Sequence, residues 1–558
     1  MAGTMDGTPS ELRGLDDARD GAFPRLSDEQ LAVVRRYGEE CAYEAGETLF
    51  REGDPTYDFY VVVEGRVAVV DGLGTSRERL IVEHGPGSFI GEYNLLAGAA
   101  PLFSAVAREP SRVIAVSADG FRRIIDQEPT LSELILRAFL SRRVRLIDRG
   151  VGLELVGSRY SPDTRRLIEF ATRNRLPYSW LDLESDPTAE SLLRDFNVEP
   201  VETPVVLLGS LVLRNPSNEE LARALGRPAP PARPDEVVDL VVVGAGPAGL
   251  AAAVYGASEG YTTLCVEASS VGGQAGTSTR IENYLGFPAG LSGSELATRA
   301  QLQAEKFEAR IVVPCEAVAL EQHDGLHCLK FAAGDDVHAR AVIIATGARY
   351  RRLELERLEQ FEGVGVYYAA THAEAKTCAG DVVAIVGGGN SAGQAAVFLA
   401  ERTRKVYVVI RRGDLSETMS RYLVDQIERH DRIELLPHTE VRELLGDDTL
   451  EGIVVEDNRD GSRRTLDVRA LFAFIGADPH TDWLEGRLEL DSRGFVLTGA
   501  DVSVTDAIER LPLETSRPGV FAVGDVRSGS VKRVASAVGE GSMAVRLVFD
   551  RLATAAPL

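Results

Sequence analysis

The pattern of apolar and polar positions first indicates β-structure. From residue 45 to 72, in AGETLFREGDPTYDFYVVVEGRVAVVDG, apolar and polar residues alternate between glycines. A period of two predicts antiparallel strands. The segments FRRIIDQEP and LSELILRAFLSRRVRLI carry apolar residues at helical spacing and predict two helices. We therefore expect a β-rich domain that ends in helices over residues 25–150.

The pattern changes after residue 151. Seven segments predict strand, helix, strand, helix, strand, strand and helix, and they read LELVGS, TRRLIEFATRN, YSWLDLE, AESLLRDF, TPVVLLG, LVLRN and NEELARALG. This order predicts a small α/β unit with helices on a central sheet over residues 151–226. The prolines of RPAPPARPDE, residues 227–236, predict an extended linker.

From Val237 to the C-terminus, strand and helix patterns alternate in the manner of nucleotide-binding domains. Residues 1–24 are rich in Gly, Asp and Ser, and we expect a flexible tail there. A chain of 558 residues is too long for a single core, because cores stop growing at about 250–300 residues. The sequence thus predicts a multidomain α/β protein.

The composition of the chain limits the classes of partner that the protein can bind. A net charge of −24 excludes the basic footprint that nucleic acid requires and disfavours an anionic membrane surface. The polar, acidic N-terminus has no signal-peptide pattern, and no apolar run reaches the ~20 residues of a membrane span, so we expect a cytoplasmic protein. None of the five cysteines forms a CxxC pair, which indicates structural or surface thiols, and we predict no metal site.

A first glycine turn lies in DLVVVGAGPAGLAAAVYGASEG, between a strand and a helix. In its GxGxxG spacing, the first glycine permits the turn and the second lets a pyrophosphate approach the backbone. The third lets the helix pack on the strand, so the phosphates lie at the helix N-terminus. An acid that ends the next strand, YTTLCVEA, is placed to bond a ribose hydroxyl. The predicted dinucleotide contacts are Gly244, Gly246, Pro247, Ala248, Gly249 and Glu267.

The motif repeats in DVVAIVGGGNSAGQAAVFLA, where the predicted contacts are Gly387, Gly389, Asn390, Ser391 and Ala392. The next strand, KVYVVIRR, ends in Arg411 and Arg412, where an NAD site usually carries an acid. Guanidinium groups suit the 2′-phosphate of NADP, so we prefer NADPH to NADH. The alternative is that both are surface arginines at a strand end.

Residues 237–558 resemble the low-molecular-weight thioredoxin reductase family. Besides the two glycine turns, the motifs that carry the resemblance are GGQ (272–274), IENYLGFP (281–288), AVIIATGA (341–348), GVFAVGDV (519–526) and KRVASAVGEG (532–541). The resemblance implies FAD and NADPH as cofactors and two Rossmann-like domains. It implies an FAD domain split between 237–362 and 477–558, an NADP domain at 363–476, and a homodimer.

The resemblance also implies flavin contacts. Asp525 would bond the ribityl chain, and the helix N-terminus near Arg533 and Val534 would face the pyrimidine end of the flavin. Gln274 and Asn283 would lie beside the isoalloxazine. The further residues that the matching motifs place at FAD are Gly273, Thr346, Gly347 and Gly524.

The chain departs from the family at its redox centre. The family carries a CxxC before the second glycine turn, whereas this chain reads GVGVYYAATHAEAKTCAG and places Ala369 and His372 at the two cysteine positions. Cys378, six residues later, has no partner in sequence, so dithiol chemistry by the family mechanism is not expected. His372 would face the flavin and is our candidate acid–base group. The alternative is an inert residue that fills a vacated position.

Residues 152–226 resemble a thioredoxin or glutaredoxin fold. TPVV (203–206) matches the family's cis-proline turn at Pro204, while SRYSPDTRR places Ser161 and Thr164 where the two redox cysteines would stand. The resemblance therefore implies the fold without the redox function. We prefer a docking or spacer role.

Residues 25–150 resemble a cyclic-nucleotide-binding β-roll, through its glycines and GPGSFIGEYNLL (85–96). The resemblance implies that Glu92 bonds the ribose and that the backbone around Gly91 meets the cyclic phosphate. The family's phosphate-binding Arg falls on Leu102, and Arg108 is displaced from that position. Because a buried phosphate needs a paired cation, we prefer a degenerate or re-purposed sensor to a working one.

The leading hypothesis is an NADPH-dependent FAD oxidoreductase that passes electrons to something other than its own dithiol. The acceptors considered are a ferredoxin-like carrier, a quinone, oxygen and a disulfide of a partner protein. One alternative is a signalling protein that responds to the redox state of its flavin or to a cyclic nucleotide. Further alternatives are thioredoxin reduction through cysteines distant in sequence and an inactive structural flavoprotein.

Overall fold

The computed structural model describes residues 21–554 except 76, 93, 210, 228–235, 279, 280, 282, 363, 369, 371, 448 and 504–509. The chain forms two compact units. The first comprises the described residues up to 231 together with Val312–Pro314, and the second comprises Ala232–Ile311 and the described residues from Cys315 onward. Across these described ranges, no helix has both the length and the apolar character needed to cross a bilayer.

The first unit opens with a β-roll. Its elements are α1 (Asp28–Val34), β1 (Glu39–Tyr43), β2 (Thr48–Phe50), β3 (Phe59–Glu64), β4 (Val67–Asp71), β5 (Arg79–His84), β6 (Phe89–Ile90), α2 (Asn94–Ala97), β7 (Ser104–Ala107), β8 (Ser111–Val116), α3 (Ala118–Gln127) and α4 (Pro129–Asp148). Two antiparallel sheets form, in the orders β1-β8-β3-β6 and β2-β7-β4-β5. The alternating pattern and the two helical patterns are thus confirmed.

Four phenylalanines hold α3 and α4 on the strands of the β-roll. The rings of Phe59, Phe89, Phe121 and Phe139 lie with centroids 4.8–6.2 Å apart, and each residue is at most 1% exposed. Aromatic groups at these separations bury a large apolar area in favourable tilted and stacked arrangements. They fix the position of α4, which covers one side of the roll.

The second part of the first unit has the seven predicted elements in order. They are β9 (Leu153–Gly157), α5 (Pro162–Arg173), β10 (Tyr178–Asp182), α6 (Pro187–Asp195), β11 (Val205–Leu208), β12 (Leu211–Arg214) and α7 (Asn218–Ala224). The sheet order is β10-β9-β11-β12, with β10 parallel to β9 and the other two pairs antiparallel. The Thr203–Pro204 peptide is cis, as the resemblance implied.

The β-roll and this α/β region share one apolar core inside the first unit. Leu102 and Phe103 from the roll pack with Leu153, Phe170 and Leu225, all of them buried. The side chain of Leu102 therefore serves packing between the two parts of the unit.

The predicted tail needs a correction at its end. Ala22 is 1% exposed, and its carbonyl accepts a 2.9 Å hydrogen bond from Nε of Arg142, so the segment from residue 21 packs on the β-roll. Residues 1–20 and the linker residues 228–235 lie outside the described residues. At the linker ends, Arg227 donates to Asn174 and Glu236 pairs with Arg310.

The second unit contains a large mixed sheet. The elements around it are β13 (Val237–Val243), α8 (Pro247–Ser258), β14 (Thr263–Val266), α9 (Gly293–Lys306), β15 (Arg310–Val312), β16 (Ala317–His323), β17 (Leu326–Phe331), β18 (Val337–Ile344), β29 (Val520–Ala522) and α14 (Val534–Thr554). The strand order is β15-β14-β13-β18-β17-β16, and β29 joins the sheet beside β18. Because β29 pairs with β18 in parallel, the C-terminal segment joins the sheet that the first glycine turn begins.

A second sheet, in which the strands are parallel, is formed by residues that lie between β18 and β29 in sequence. The elements of this stretch are β19 (Ala348–Tyr350), α10 (Leu358–Phe361), β20 (Val366–Tyr367), α11 (His372–Thr377), β21 (Val382–Val386), α12 (Asn390–Ala400), β22 (Lys405–Val409), α13 (Arg421–Arg429), β23 (Ile433–Leu436), β24 (Thr439–Leu445), β25 (Gly452–Asp457), β26 (Arg463–Leu466), β27 (Ala470–Ala473) and β28 (Ala477–Pro479). The parallel sheet has the order β20-β27-β21-β22-β23. Strands β24, β25 and β26 form a separate antiparallel sheet, and β19 pairs with β28.

Candidate functional site

The first glycine turn lies between β13 and α8, as its spacing predicts. Gly244 has φ +104°, and a Cβ there would strike the carbonyl of Ala345, so only glycine fits. A Cβ on Gly249 would strike the Gly244 carbonyl, which shows how closely α8 approaches the strand. By contrast, a Cβ on Gly246 would meet nothing within 4 Å. The turn leaves open space where a pyrophosphate would approach the backbone.

Helix α8 begins directly beyond that space. Gly246 is its N-cap without a side-chain cap, and Pro247 fills the first helical position. The N–H groups of Ala248 and Gly249 lie in the first turn, where helix geometry provides no backbone acceptor. The N–H donors and the dipole of helix α8 together make this a site for an anion. The residues therefore fit the diphosphate of a dinucleotide.

Glu267 lies directly after β14, against the glycine turn. Its Oε2 accepts a 2.8 Å hydrogen bond from the backbone N–H of Ala245, and its Oε1 accepts from Ser269 and Ser270. The carboxylate is therefore held at the turn by backbone donors, which is the position predicted for an acid that bonds a ribose.

The GGQ segment closes over the same turn. Gly273 has φ +52°, and a Cβ there would lie 3.1 Å from Cα of Gly246. Gln274 donates through Nε2 to the carbonyl of Ala348, close to the predicted contacts Thr346 and Gly347. Two motifs that are 74 residues apart in sequence therefore meet at one place.

Thr346 and Gly347 connect the site to residues after β28. Thr346 Oγ1 donates to the carbonyl of His480 over 2.9 Å, and the His480 N–H donates to Gly347 over 3.1 Å. Asn283, predicted beside the isoalloxazine, is exposed, and its neighbours 279, 280 and 282 lie outside the described residues. The structure thus brings together the other contacts of this segment but adds no support for Asn283.

The GD segment is held at the site by α14. Oε2 of Glu540 accepts a 2.7 Å hydrogen bond from the N–H of Gly524, and Oε1 accepts a 2.6 Å bond from Nη2 of Arg527. Lys532 Nζ donates to the carbonyl of Asp525 over 2.8 Å. Burial raises the pKa of the Asp525 carboxyl, and the nearby Lys532 charge opposes that shift.

Helix α14 begins at Val534, as predicted, and it approaches α8 closely. A Cβ on Gly541 would strike the carbonyl of Ala248, so this glycine permits the contact. Arg533 is exposed immediately before the helix. The two predicted helix N-termini therefore belong to one packed pair of helices.

The second glycine turn repeats the geometry of the first. Gly387 has φ +141°, and a Cβ there would strike the carbonyl of Phe474, whereas a Cβ on Gly389 would meet nothing within 4 Å. Gly389 is the N-cap of α12, which begins with Asn390 and Ser391 and buries Ala392. This turn also fits the diphosphate of a dinucleotide.

A loop after β22 folds over this second turn. Asn390 Oδ1 accepts a 2.6 Å hydrogen bond from the N–H of Ser420, and Thr418 Oγ1 donates to the carbonyl of Gly388 over 2.7 Å. Arg411 and Arg412 are exposed at the start of this loop. They stand at the strand end predicted to meet the 2′-phosphate.

Arg412 already has an acidic neighbour. Its Nη1 lies 2.8 Å from Glu417, and both side chains are about half exposed. An exposed pair of this kind contributes only about 0–1 kcal/mol. A phosphate dianion can therefore replace Glu417 as the partner of Arg412 at little cost.

The segment around His372, where the resemblance led us to look for a dithiol, is described only in part. His372 begins α11, but its side chain, like residues 369 and 371, lies outside what the structure describes. The proposed acid–base role of His372 stays a prediction.

All five cysteines are described, and all are free. Burial raises the pKa of the Cys315 thiol to about 12 and that of Cys378 to about 11, and it also raises the pKa values of Cys265 and Cys328. Four of the five are thus neutral, buried thiols, while Cys41 on β1 is partly exposed. A buried thiol with a raised pKa carries little thiolate at neutral pH and is a poor nucleophile.

The residues that the resemblance implied as cyclic-nucleotide contacts make hydrogen bonds or ion pairs with other residues of the protein. Oε1 of Glu92 accepts a 3.0 Å hydrogen bond from the N–H of Leu102, and the carbonyl of Gly91 accepts from Nη1 of Arg142. Desolvation raises the pKa of the Glu92 carboxyl. Arg108, the displaced alternative to the missing arginine, pairs with Glu78.

Comparison with known proteins identifies the chain. Residues 238–541 match the family model described as pyridine nucleotide-disulphide oxidoreductase, and residues 40–128 match the model of the cyclic nucleotide-binding domain. The chain belongs to the pyridine nucleotide-disulphide oxidoreductase family. It is an FAD-dependent NAD(P)H oxidoreductase with FAD and NADPH as cofactors.

Relatives within this family cover the second unit. The thioredoxin reductase of Mycolicibacterium smegmatis is 34% identical over 316 residues, which is 55% of this chain and 94% of the relative. The NADPH-dependent thioredoxin reductase 3 of Arabidopsis thaliana is 31% identical over 352 residues, 60% of this chain and 64% of that protein. The crystal structure of T. acidophilum thioredoxin reductase is 29% identical with a TM-score of 0.53, and the match covers 57% of this chain and 100% of that one.

Two contacts of the oxidoreductase site have no direct prediction from the sequence. Glu540 lies within the KRVASAVGEG motif, but the bond from Gly524 joins residues sixteen apart across a turn and a helix. Ser420 reaches Asn390 across 30 residues. The sequence feature that could have pointed to Glu540 is an acid between glycines in the first part of a helix. No sequence feature points to the Ser420 contact.

Proposed function

We propose that this chain is an NADPH-dependent FAD oxidoreductase that passes its electrons to an acceptor outside its own polypeptide. The observation that carries the proposal is the state of the cysteines. No CxxC exists in the sequence, and four of the five thiols are buried with raised pKa values. Cys41 alone is partly exposed, and a single thiol is not a dithiol.

The residues divide between two nucleotides. The turn at Gly246, the acid Glu267 and the Gly524–Asp525 segment would hold FAD, which supplies the exchange of electrons between NADPH and the acceptor. The turn at Gly389 would hold the diphosphate of NADPH, with Arg411 and Arg412 at its 2′-phosphate. Open space beside both N-cap glycines supports two dinucleotide sites.

A one-electron iron protein, a quinone, oxygen and a disulfide of a partner protein are the acceptor classes that the proposal allows. One relative, 30% identical over 318 residues, is named "34.2 kDa protein in rubredoxin operon" in Clostridium pasteurianum. That name supports a small iron carrier as the first acceptor to test.

Anaerobic stopped-flow spectroscopy tests the proposal. The protein is reduced with NADPH and then mixed with ferredoxin, rubredoxin, a quinone, oxygen or oxidised thioredoxin. Fast reoxidation of the flavin by one acceptor supports the enzyme and gives its substrate class. Reduction without fast reoxidation by any of them favours the signalling alternative, in which the flavin reports redox state to a partner.

We propose that the second part of the first unit is a thioredoxin-like domain that serves as a docking surface or a spacer and carries no redox function. The sheet order β10-β9-β11-β12 and the cis peptide before Pro204 support this fold. Ser161 caps α5 by accepting a 3.3 Å hydrogen bond from the N–H of Thr164. Thr164 lies beside Gly157 on the side that faces Pro204. These contacts support the assignment of Ser161 and Thr164 to the positions of the two cysteines.

We propose that the chain forms a homodimer through α8 and α14. Tyr255 on α8 is 45% exposed, and Met543 and Phe549 on α14 are 54% and 48% exposed. Large exposed apolar side chains on two packed helices are typical of an interface. Light scattering of wild type and Met543→Asp is the test, since a dimer predicts a shift to monomer in the variant.

A further inference from the structure

The β-roll contains a cavity of about 170 Å³ between its strands and the C-terminal half of α4. Its innermost lining is aromatic and aliphatic, and these residues are each at most 8% exposed: Phe50, Tyr57, Ile90 and Phe103. Val69, Ile81 and Leu146 are among the other apolar residues of the lining. An apolar lining of this kind accepts apolar groups.

The size of the cavity limits what it holds. An apolar cavity of about 150 Å³ accepts a molecule the size of benzene. The cavity in the β-roll therefore has room for one aromatic ring or a short branched chain. A purine, a ribose and a cyclic phosphate together are much larger.

The polar contacts also disfavour a cyclic phosphate. Leu102 is 6% exposed in the shared core, and Glu92 is engaged with its backbone N–H. Arg142, a buried cation that lines the cavity, donates to the carbonyls of Ala22, Phe89 and Gly91. Its guanidinium is therefore already satisfied by the backbone.

One buried group at the cavity lacks a hydrogen bond. Tyr57 lines the cavity and is 7% exposed, and its hydroxyl has no hydrogen-bond partner among the described residues. The backbone N–H groups of Glu92 and Leu95 face this oxygen, but neither reaches bonding geometry. That oxygen is closed off from the cavity as well as from solvent, so the ring of Tyr57 and not its hydroxyl forms part of the lining.

The mouth of the cavity is basic. Arg79, Arg145 and Arg149 line it, and Arg79 and Arg149 are exposed. Arg79 pairs with Asp71, whereas the Arg149 side chain makes no ion pair or hydrogen bond within the described part of the chain. An apolar interior behind an arginine-lined mouth matches a molecule with an apolar body and an anionic end.

We propose that the β-roll binds a small monocyclic aromatic carboxylate instead of a cyclic nucleotide. The ring lies among Phe50, Ile90 and Phe103, and the carboxylate meets Arg145 and Arg149 at the mouth. This proposal does not depend on the identity of the electron acceptor.

Occupancy of the cavity would also bear on the rest of the first unit. Phe103, Ile81 and Leu146 line the cavity and also pack in the core shared with β9 and α5. A ligand that fills the cavity would therefore contact residues of the core shared by the β-roll and the α/β region that follows it.

Isothermal titration calorimetry on the full chain tests the proposal with benzoate, 4-hydroxybenzoate, cyclic AMP and cyclic GMP. We expect saturable binding of both benzoates, and weaker binding at high salt because the contacts at the mouth are ionic. Absence of saturable heat from both benzoates up to about 10 mM would overturn the proposal. Tighter binding of either cyclic nucleotide than of both benzoates would overturn it as well.

Variants separate the site from a general surface effect. Arg149→Gln should weaken benzoate binding about fivefold, since an exposed ionic contact contributes up to about 1 kcal/mol. Arg137→Gln is the matched control, because Arg137 lies on the same helix, does not line the cavity and is 69% exposed. Circular dichroism checks that each variant is folded. Equal binding by Arg149→Gln and Arg137→Gln would contradict the assigned contacts.

Discussion

The carboxylate of Glu540 accepts a 2.7 Å hydrogen bond from the N–H of Gly524 and pairs with Arg527 at 2.6 Å. Both side chains of the pair are less than a fifth exposed. One acid on α14 thus fixes the segment that carries Asp525 to the helix that packs on α8.

Glu540→Ala should therefore lose FAD. The substitution removes the acceptor of the Gly524 N–H and leaves a partly buried Arg527 unpaired, which costs several kcal/mol when solvent is excluded. We expect a lower ratio of flavin to protein absorbance after purification. Glu540→Gln should retain more flavin than Glu540→Ala because its amide oxygen can still accept from Gly524.

The control for this prediction is Asp550→Asn, which removes a carboxylate of the same helix that pairs with Arg546. It should keep the wild-type flavin content. Full flavin retention by Glu540→Ala would show that α14 does not position the segment.

The double variant Arg411→Gln/Arg412→Gln should distinguish the two nicotinamide cofactors. Each charge-assisted hydrogen bond to the 2′-phosphate contributes about 1.5–3 kcal/mol, so the KM for NADPH should rise at least tenfold. The KM for NADH, which has no 2′-phosphate, should change little. Steady-state kinetics with ferricyanide as the acceptor measure both values.

Arg464→Gln is the matched control here, since this arginine lies on β26 and is 55% exposed. It should leave both KM values unchanged. An equal rise in the KM values for NADPH and for NADH in the double variant would mean that the two arginines do not bind the 2′-phosphate.

The double variant Ser161→Cys/Thr164→Cys should acquire a disulfide that the natural chain lacks. The helix N-terminus lowers the pKa of a thiol at position 161, and position 164 lies one turn further along α5. After alkylation under denaturing conditions, mass spectrometry should count five modified cysteines in the air-oxidised variant and seven after reduction. Ser161→Cys alone should give six under both conditions. Seven in the air-oxidised double variant would argue against the thioredoxin-like geometry.

Stability of the first unit should depend on Glu52 between pH 5 and 8. Desolvation, with the charge of Asp71 adding to it, raises the pKa of Glu52 to about 7, and its carboxyl packs against Gly209. A carboxyl whose folded pKa exceeds its unfolded value stabilises the fold at low pH and loses that contribution as pH rises through the folded pKa. The Tm of the wild type should therefore fall between pH 5 and 8.

Glu52→Gln should reduce that fall in Tm because it removes the ionisable group, and it should raise the Tm at pH 8. The exposed Glu44→Gln serves as the control and should follow the wild type. Identical pH profiles for Glu52→Gln and wild type would show that Glu52 does not titrate in this range.

Much of the fold could be predicted from local sequence. The glycine turns at Gly244 and Gly387 require positive φ and close contacts that only glycine permits, so their spacing predicts strand, turn and helix directly. The seven elements of the α/β region in the first unit are likewise predicted by the spacing of apolar residues and by local composition. These features depend on neighbours in sequence.

The rest depends on contacts between distant residues. The sequence shows that Leu102 replaces an arginine, but only the structure shows that Leu102 joins a core shared with β9 and α5. Likewise, the polar neighbours of Ala22 predict a tail, whereas its carbonyl is bound by Arg142, 120 residues later. Such pairings depend on the tertiary fold and leave no local pattern.

The most direct test of the central claim is the number of electrons that the protein takes up. In an anaerobic titration followed by flavin absorbance, a chain without a redox-active dithiol should need one equivalent of reductant for each FAD. Dithionite and NADPH should give the same end point. A requirement for two equivalents per FAD would reveal a second redox group, and it would contradict an oxidoreductase that passes electrons from its flavin straight to an external acceptor.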